Sequence, residues 1–313
     1  MKPIILLLLA VNIVLATPVS ENDTEPQPAF DAYRDLRFLL STRTNRGNPF
    51  RIMFRNLDSI RASPFVASRP LRVLIHGWFE DETSEISVGT SEELLNAGDF
   101  NVIFVDWSEG SRTLNYAAAA NRVEIVGGFV ASQLNFMREN GFVDFARTHV
   151  IGFSLGAHCA GFTGKGTGGQ IHTIIGLDPA GPLFSERRPD GRIDASDGRY
   201  VECLHTNGGL IGAGIGAHIC DADFFPNGGT DQRGCLTNTC SHLRAVAYYI
   251  ESIQNNGFHS QRCTTETQAS RENCNSGGGQ WFGHADNGNN NLRGIFHFAT
   301  NRNSPYSQGP WRN

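Results

Sequence analysis

Short apolar runs with few polar interruptions recur along the chain and alternate with longer stretches of helical spacing. Leu71-Arg-Val-Leu-Ile75 and Asn101-Val-Ile-Phe-Val105 are two such runs, and Val150-Ile151 and Thr173–Leu177 belong to two more. Strands this continuously apolar are buried on both faces, which predicts a parallel sheet covered by helices. The longest helical pattern runs from about Tyr116 to Glu139, where Ala118, Val123, Ile125, Val126, Val130, Leu134 and Met137 fall on helical spacing. Leu36–Ser41 and Phe50–Phe54 predict shorter strands at a sheet edge. From Phe184 onward, loops rich in Gly, Asn, Asp and Cys predominate, interrupted by a helix over Leu243–Ile253. The segment 275–291 reads as a long surface loop before a last strand, Gly294–Ala299. So few residues follow that strand that a second domain at the C-terminus is not expected. There is no internal repeat, and the class is α/β.

The first residues change the picture at one end. Met1-Lys2 and the apolar run Ile4–Ala16, ending Val14-x-Ala16, predict a secretory signal peptide over residues 1–16. Residues 17–29 are polar and proline-rich and predict a flexible leader or short propeptide, leaving 30–313 as one catalytic domain. Asn22-Asp23-Thr24 is an acceptor sequence for N-glycosylation. No later run is long enough to span a bilayer. The net charge of −5 over 313 residues, without a basic run, argues against a nucleic-acid partner. Nothing in the sequence points to a protein partner. Seven cysteines suit an exported chain. Six are spaced to pair as neighbours, Cys203–Cys220, Cys235–Cys240 and Cys263–Cys274, although six cysteines permit 15 connectivities. Cys159 reads as a buried free thiol.

Candidate chemistry centres on Gly152-Phe153-Ser154-Leu155-Gly156. An apolar strand before it and a helix after it make this the strand–turn–helix that presents a nucleophilic serine. Glycines two residues either side remove side chains that would collide in so sharp a turn. Ala157 and Gly161 are expected to keep the helix thin where it packs on the sheet. A serine hydroxyl needs a base, and the base needs an acid to orient it. In this arrangement the acid follows the serine and the histidine comes last. Asp178 stands directly after the strand Thr173–Leu177; Asp106 also follows a strand but precedes the serine and is the weaker choice. Of six histidines after Asp178, His242 is the best base, mounted behind the Cys235–Cys240 loop at a helix start that Ser241 would cap. His205 and His297 read as structural, while spacing alone does not exclude His218. The oxyanion donors are expected to be the backbone N–H groups of Leu155 and Trp78. This chemistry requires no cofactor.

With those residues in place, the chain resembles the pancreatic lipase family of the α/β-hydrolase superfamily. The resemblance rests on five blocks in order: His76-Gly77-Trp78, Gly152–His158, Gly176–Ala180, Asp223–Gly229 and Cys240–Ala245. It implies a Ser154–His242–Asp178 triad and an oxyanion hole at Trp78 and Leu155. It also implies a structural calcium held by Asp194 and Asp197, with Pro189 at the matching upstream position. On its own that segment reads equally as an acidic surface turn. Digestive members carry a C-terminal β-sandwich, which is not expected here, and a lid of about twenty residues before the histidine. Only Leu236–Thr239 lies between Cys235 and Cys240 here, and the second cover loop, Thr206–Asp223, is also short. The clipped lid is similar to the insect and venom phospholipase A1 branch. The expectation is a secreted serine esterase of lipid at a membrane or lipid interface, phospholipase A1 ahead of triacylglycerol or galactolipid lipase. An inactive lipid-binding or yolk-type storage protein is the alternative from another class.

Overall fold

A computed structural model describes residues 29–254, 257–274, 276–283 and 292–309. The signal-peptide segment, nearly all of the leader, Asn22 and all of 284–291 lie outside the described residues. Contacts divide the chain into Met1–Phe30 and Asp31–Asn313, and of the first only Ala29 and Phe30 are described. Everything below concerns the second.

Its frame is a mixed sheet, eleven-stranded among the described residues. In chain order the strands are β1 (Arg37–Ser41), β2 (Phe50–Ile52), β3 (Leu71–Ile75), β4 (Asn101–Asp106), β5 (Thr148–Phe153), β6 (Thr173–Leu177), β7 (Tyr200–Leu204), β8 (Ala222–Pro226), β9 (Phe258–Cys263), β10 (Ser276–Phe282) and β11 (Gly294–Phe298). Their spatial order is β10-β9-β11-β8-β7-β6-β5-β3-β4-β1-β2. From β11 to β4 every neighbouring pair is parallel, and the strands at both margins are antiparallel.

The parallel run is buried on both faces because its residues alternate between two helical layers. Leu74, Phe104, Ile151, Phe153, Ile175 and Leu177 join the cluster containing Leu94, Ala245 and Val246 from the helices Val88–Ala97 and Asn238–Gln254. The helices Val123–Glu139 and Leu155–Gly166 pack against each other, the latter also on β5 and β6. This is the α/β layering expected from the apolar runs, in the form of the α/β-hydrolase fold that the resemblance implies. The sulfurs of Cys203–Cys220, Cys235–Cys240 and Cys263–Cys274 are bonded, and Cys159 is free and buried.

Four expectations need correction. The pattern from Tyr116 to Glu139 forms two helices, Tyr116–Ala120 and Val123–Glu139. Arg122 N–H bonds back to Ala119 rather than Ala118, so the ladder tightens there into a turn. The last major helix begins at Asn238, not near Leu243, because Thr237 Oγ1 accepts from Cys240 N–H and caps it earlier. Ser241 is therefore inside the helix, and its hydroxyl accepts from Gln232 N–H at 3.0 Å. Part of the supposed 275–291 loop is strand β10, whose backbone pairs with β9 despite its glycines. Gly161 faces a loop rather than the sheet: a Cβ there would lie 2.6 Å from Ile193 Cα.

Candidate active site

Ser154 closes the turn between β5 and the helix Leu155–Gly166 with φ 56° and ψ −120°, a backbone state costly for a residue with a side chain. Sterics dictate the flanking glycines. A Cβ on Gly152 would lie 2.0 Å from Gly156 O, and one on Gly156 would lie 2.2 Å from Ile75 O. Hydrogen bonds hold the strained turn: Ser154 N–H donates to Leu177 O, and Ser154 O accepts from the N–H groups of Ala157 and Ala180. The first of these sets the serine beside the end of β6, where Asp178 begins.

Asp178 is fully buried at φ 43°. Its Oδ1 accepts from the backbone N–H groups of Thr206 (2.7 Å) and Asn207 (3.0 Å), which leaves Oδ2 to accept from His242 Nδ1 at 2.5 Å. Gly214 makes room for this carboxylate, since a Cβ there would lie 2.5 Å from Asp178 Oδ1. An Nδ1–H donated to a carboxylate leaves Nε2 free as the base. The His242 ring lies against Phe153, with centroids 4.6 Å apart, next to the serine. Thus Asp178 and His242 are bonded, and both reach the Ser154 turn through adjacent residues.

The other candidates have different partners. Asp106 pairs with Arg37 and accepts from Ser108 N–H. His218 Nδ1 and His205 Nε2 both meet Asp223, at 2.5 and 2.6 Å. His297 lies within β11, where its Nδ1 donates to Phe225 O.

The His76-Gly77-Trp78 turn is pressed against the serine, for a Cβ on Gly77 would lie 2.9 Å from Ser154 Cβ. His76 fixes the turn. Its Nε2 accepts from Trp107 N–H at 3.0 Å, so Nδ1 carries the proton and donates to Gly77 O at 2.8 Å. Leu155, as the first helical residue, has an N–H without an intrahelical acceptor.

Sequence reasoning missed Glu80. Its Oε2 accepts from Gly77 N–H at 2.7 Å. Burial pushes this carboxyl above the usual range, opposed by the Gly77 bond and by His76 and His242. Its place two residues past Trp78 was the available signal. The Thr206 and Asn207 amides gave none, since a backbone donor is the same in every residue.

Short loops surround the turn. Cys235–Cys240 closes over four residues, and Asn238 Nδ2 ties it to Ile211 O at 2.8 Å. Gly181 N–H donates to Ala213 O at 2.8 Å, joining the loop after Asp178 to the second cover loop. A cavity of about 600 Å³ between β1, β4 and the helix Val88–Ala97 contains none of these residues.

The Asp194–Asp197 turn does not fit a calcium ion. Calcium takes six to eight oxygen ligands, whereas Asp197 Oδ1 and Arg192 O both accept from Lys165 Nζ, at 2.5 and 2.8 Å. Asp194 Oδ1 is occupied by Ser196, and Asp194 Oδ2 faces Arg192 at 3.2 Å.

A mostly parallel sheet with a strained serine turn at its carboxyl edge defines an α/β-hydrolase. The sequence pattern of the lipase family matches residues 12–306, and the chain belongs to that family, alongside the pancreatic lipases. Pancreatic triacylglycerol lipase of Cavia porcellus is 36% identical over 264 residues, covering 77% of this chain and 56% of the relative. The Homo sapiens pancreatic triacylglycerol lipase is 35% identical over 277 residues, covering 80% and 59%. Pancreatic lipase-related protein 2 of Cavia porcellus is 35% identical over 253 residues, covering 77% and 56%. The chain thus spans little more than half the length of these relatives.

Proposed function

We propose that this chain is an exported hydrolase of lipid carboxylic esters, using Ser154 as nucleophile, His242 as base and Asp178 as its orienting acid. The observation that carries the reading is the 2.5 Å bond from His242 Nδ1 to a buried Asp178, set beside a serine in a strained turn. Ser154 Oγ attacks the ester carbonyl carbon while His242 Nε2 takes its proton. The carbonyl oxygen becomes an oxyanion facing the N–H groups of Leu155 and Trp78. The C–O bond to glycerol breaks as His242 returns the proton to the leaving oxygen. Water, deprotonated by the same ring, then attacks the acyl-serine and frees the fatty acid. No step calls on a metal or cofactor. Export is supported by the basic and apolar first residues and by the three disulfides.

Triacylglycerol is the favoured substrate, because the similar proteins are named for its hydrolysis. One observation favours phospholipid, the second reading. The four-residue Cys235–Cys240 loop supplies little apolar wall, so a charged head group loses less hydration on entry. The test is fatty-acid release from triolein emulsion and phosphatidylcholine vesicles side by side, with Ser154→Ala as control. Release chiefly from triolein, falling at least about a thousandfold in the variant, is expected. Release chiefly from phosphatidylcholine would replace the first substrate by the second. Activity that survives in Ser154→Ala would overturn the mechanism.

A further inference from the structure

We propose that the ammonium group of Lys165 is a built-in cation, holding the Arg192–Asp197 turn against the serine-bearing helix without any divalent metal. Lys165 stands in the last turn of the helix Leu155–Gly166. Its Nζ donates to Asp197 Oδ1 at 2.5 Å and to Arg192 O at 2.8 Å, one side-chain and one backbone oxygen of the same turn. Asp197 is almost fully buried, and its Oδ2 accepts from Asp194 N–H at 2.8 Å, closing a capping box. No oxygen of that carboxylate is left without a donor.

Charge makes the same point. Two carboxylates, Asp194 and Asp197, face two cations, Arg192 and Lys165. The cluster is neutral as it stands, and a divalent ion would leave it with a double excess of positive charge in a largely buried place. Lys165 also lies at the end of its helix where a positive charge is favoured by the backbone dipole.

The turn and the helix fit so closely that the clamp acts on the serine's own mount. A Cβ on Gly164 would lie 2.2 Å from Asp197 O, and one on Gly161 would lie 2.6 Å from Ile193 Cα. One turn nearer Ser154, His158 Nδ1 accepts from Ile193 N–H at 3.2 Å, and Nε2 donates to Ala180 O at 2.8 Å. The turn held by Lys165 is thereby connected to the segment just after Asp178.

The test is a thermal melt of the exported protein in excess EDTA and in millimolar calcium chloride, for wild type and Lys165→Met. Its readout is independent of any substrate, so it stands apart from the ester-hydrolase reading. The wild-type Tm is expected to be the same in both solutions, and Lys165→Met to lower it by about 5–10 °C. Lys165→Arg is expected to retain most of the wild-type Tm. If Lys165→Met does not fold, the double variant Lys165→Met, Asp197→Asn, which removes both charges, is expected to fold and melt cooperatively. A wild-type Tm that falls in EDTA and returns with calcium would overturn the inference. So would a Lys165→Met protein with the wild-type Tm.

Discussion

His205 shows how much the chemistry of one residue depends on what faces it. Its Nδ1 meets Ile215 O at 2.7 Å and its Nε2 meets Asp223 Oδ1 at 2.6 Å, and both of those atoms only accept. Each ring nitrogen must therefore carry a proton, and the residue is a buried imidazolium. Burial works against that charge, yet the Asp223 hydrogen bond and charge prevail and raise its pKa, with Asp178 adding to the effect. Asp223 is likewise opposed by burial and held low by His205 and by the half-exposed His218. The sign of the linkage follows. A raised histidine pKa gives stability that is full below the unfolded value of about 6.5 and is lost as pH rises through the folded value. The lowered Asp223 pKa gives stability that is present above about 3.9 and lost as pH falls. His205→Gln should thus lower Tm most near pH 5–6, with the gap to wild type narrowing as pH rises above the unfolded value of about 6.5. Melts across that range test this, and a constant gap would show that His205 contributes packing alone. In the sequence His205 was legible as structural, from its place at the end of β7. Its charge was not, because that is fixed by Ile215 and Asp223, which the fold brings up from elsewhere.

At the scale of elements, the strand–turn–helix around Ser154 is governed by backbone contact. Gly156 is set against β3 so closely that a methyl group would overlap both Ile75 O and His76 O. Neither atom is the tip of a flexible side chain that could swing away. Gly156→Ala should therefore force β3 and the helix apart and lower soluble yield severely. Near-UV circular dichroism of any recovered protein should show lost tertiary packing. A folded variant with wild-type Tm would mean that the helix can shift at no cost. Close contacts of this kind are why the turn was legible: they forbid side chains, and glycines at fixed spacing are what remain. The continuous apolar strands β3 to β6 were legible for a related reason, burial on both faces. β9 was not, since His259, Gln261 and Arg262 give a half-exposed marginal strand little hydrophobic pattern. β10 was hidden by Gly277-Gly278-Gly279, where pairing with a neighbour overrides a poor local propensity. The helix start at Asn238 was misplaced for want of the Thr237 cap, one of several Ser and Thr residues in that loop that could have served.

Taken as a whole, the molecule gathers its site from loops that leave the sheet at one edge, and hydrogen bonds tie those loops together. Trp78 Nε1 donates to Thr113 O, Tyr116 OH to Pro182 O, and Asn238 Nδ2 to Ile211 O. The tied loops carry Leu114, Leu183, Leu210, Ile211 and Leu236, all largely exposed. A scattered surface leucine needs no explanation, but several on neighbouring loops around one turn form an apolar rim. The four residues between Cys235 and Cys240 are too few to fold over Ser154 as a twenty-residue lid would, and these side chains stand open to solvent. Each leucine moved from water into a lipid surface gains up to about 1.5–3 kcal/mol. Partial insertion of three would still favour the surface by more than tenfold. The triple variant Leu210→Ser, Ile211→Ser, Leu236→Ser should therefore lose roughly tenfold or more in activity on emulsified triolein. On a short-chain ester dissolved as monomers it should stay within about twofold of wild type. An equal loss on both substrates would mean that these side chains shape the catalytic cleft itself. Equal retention on both would mean that the rim does not meet lipid, and that whatever brings this protein to a surface lies outside the loops around Ser154.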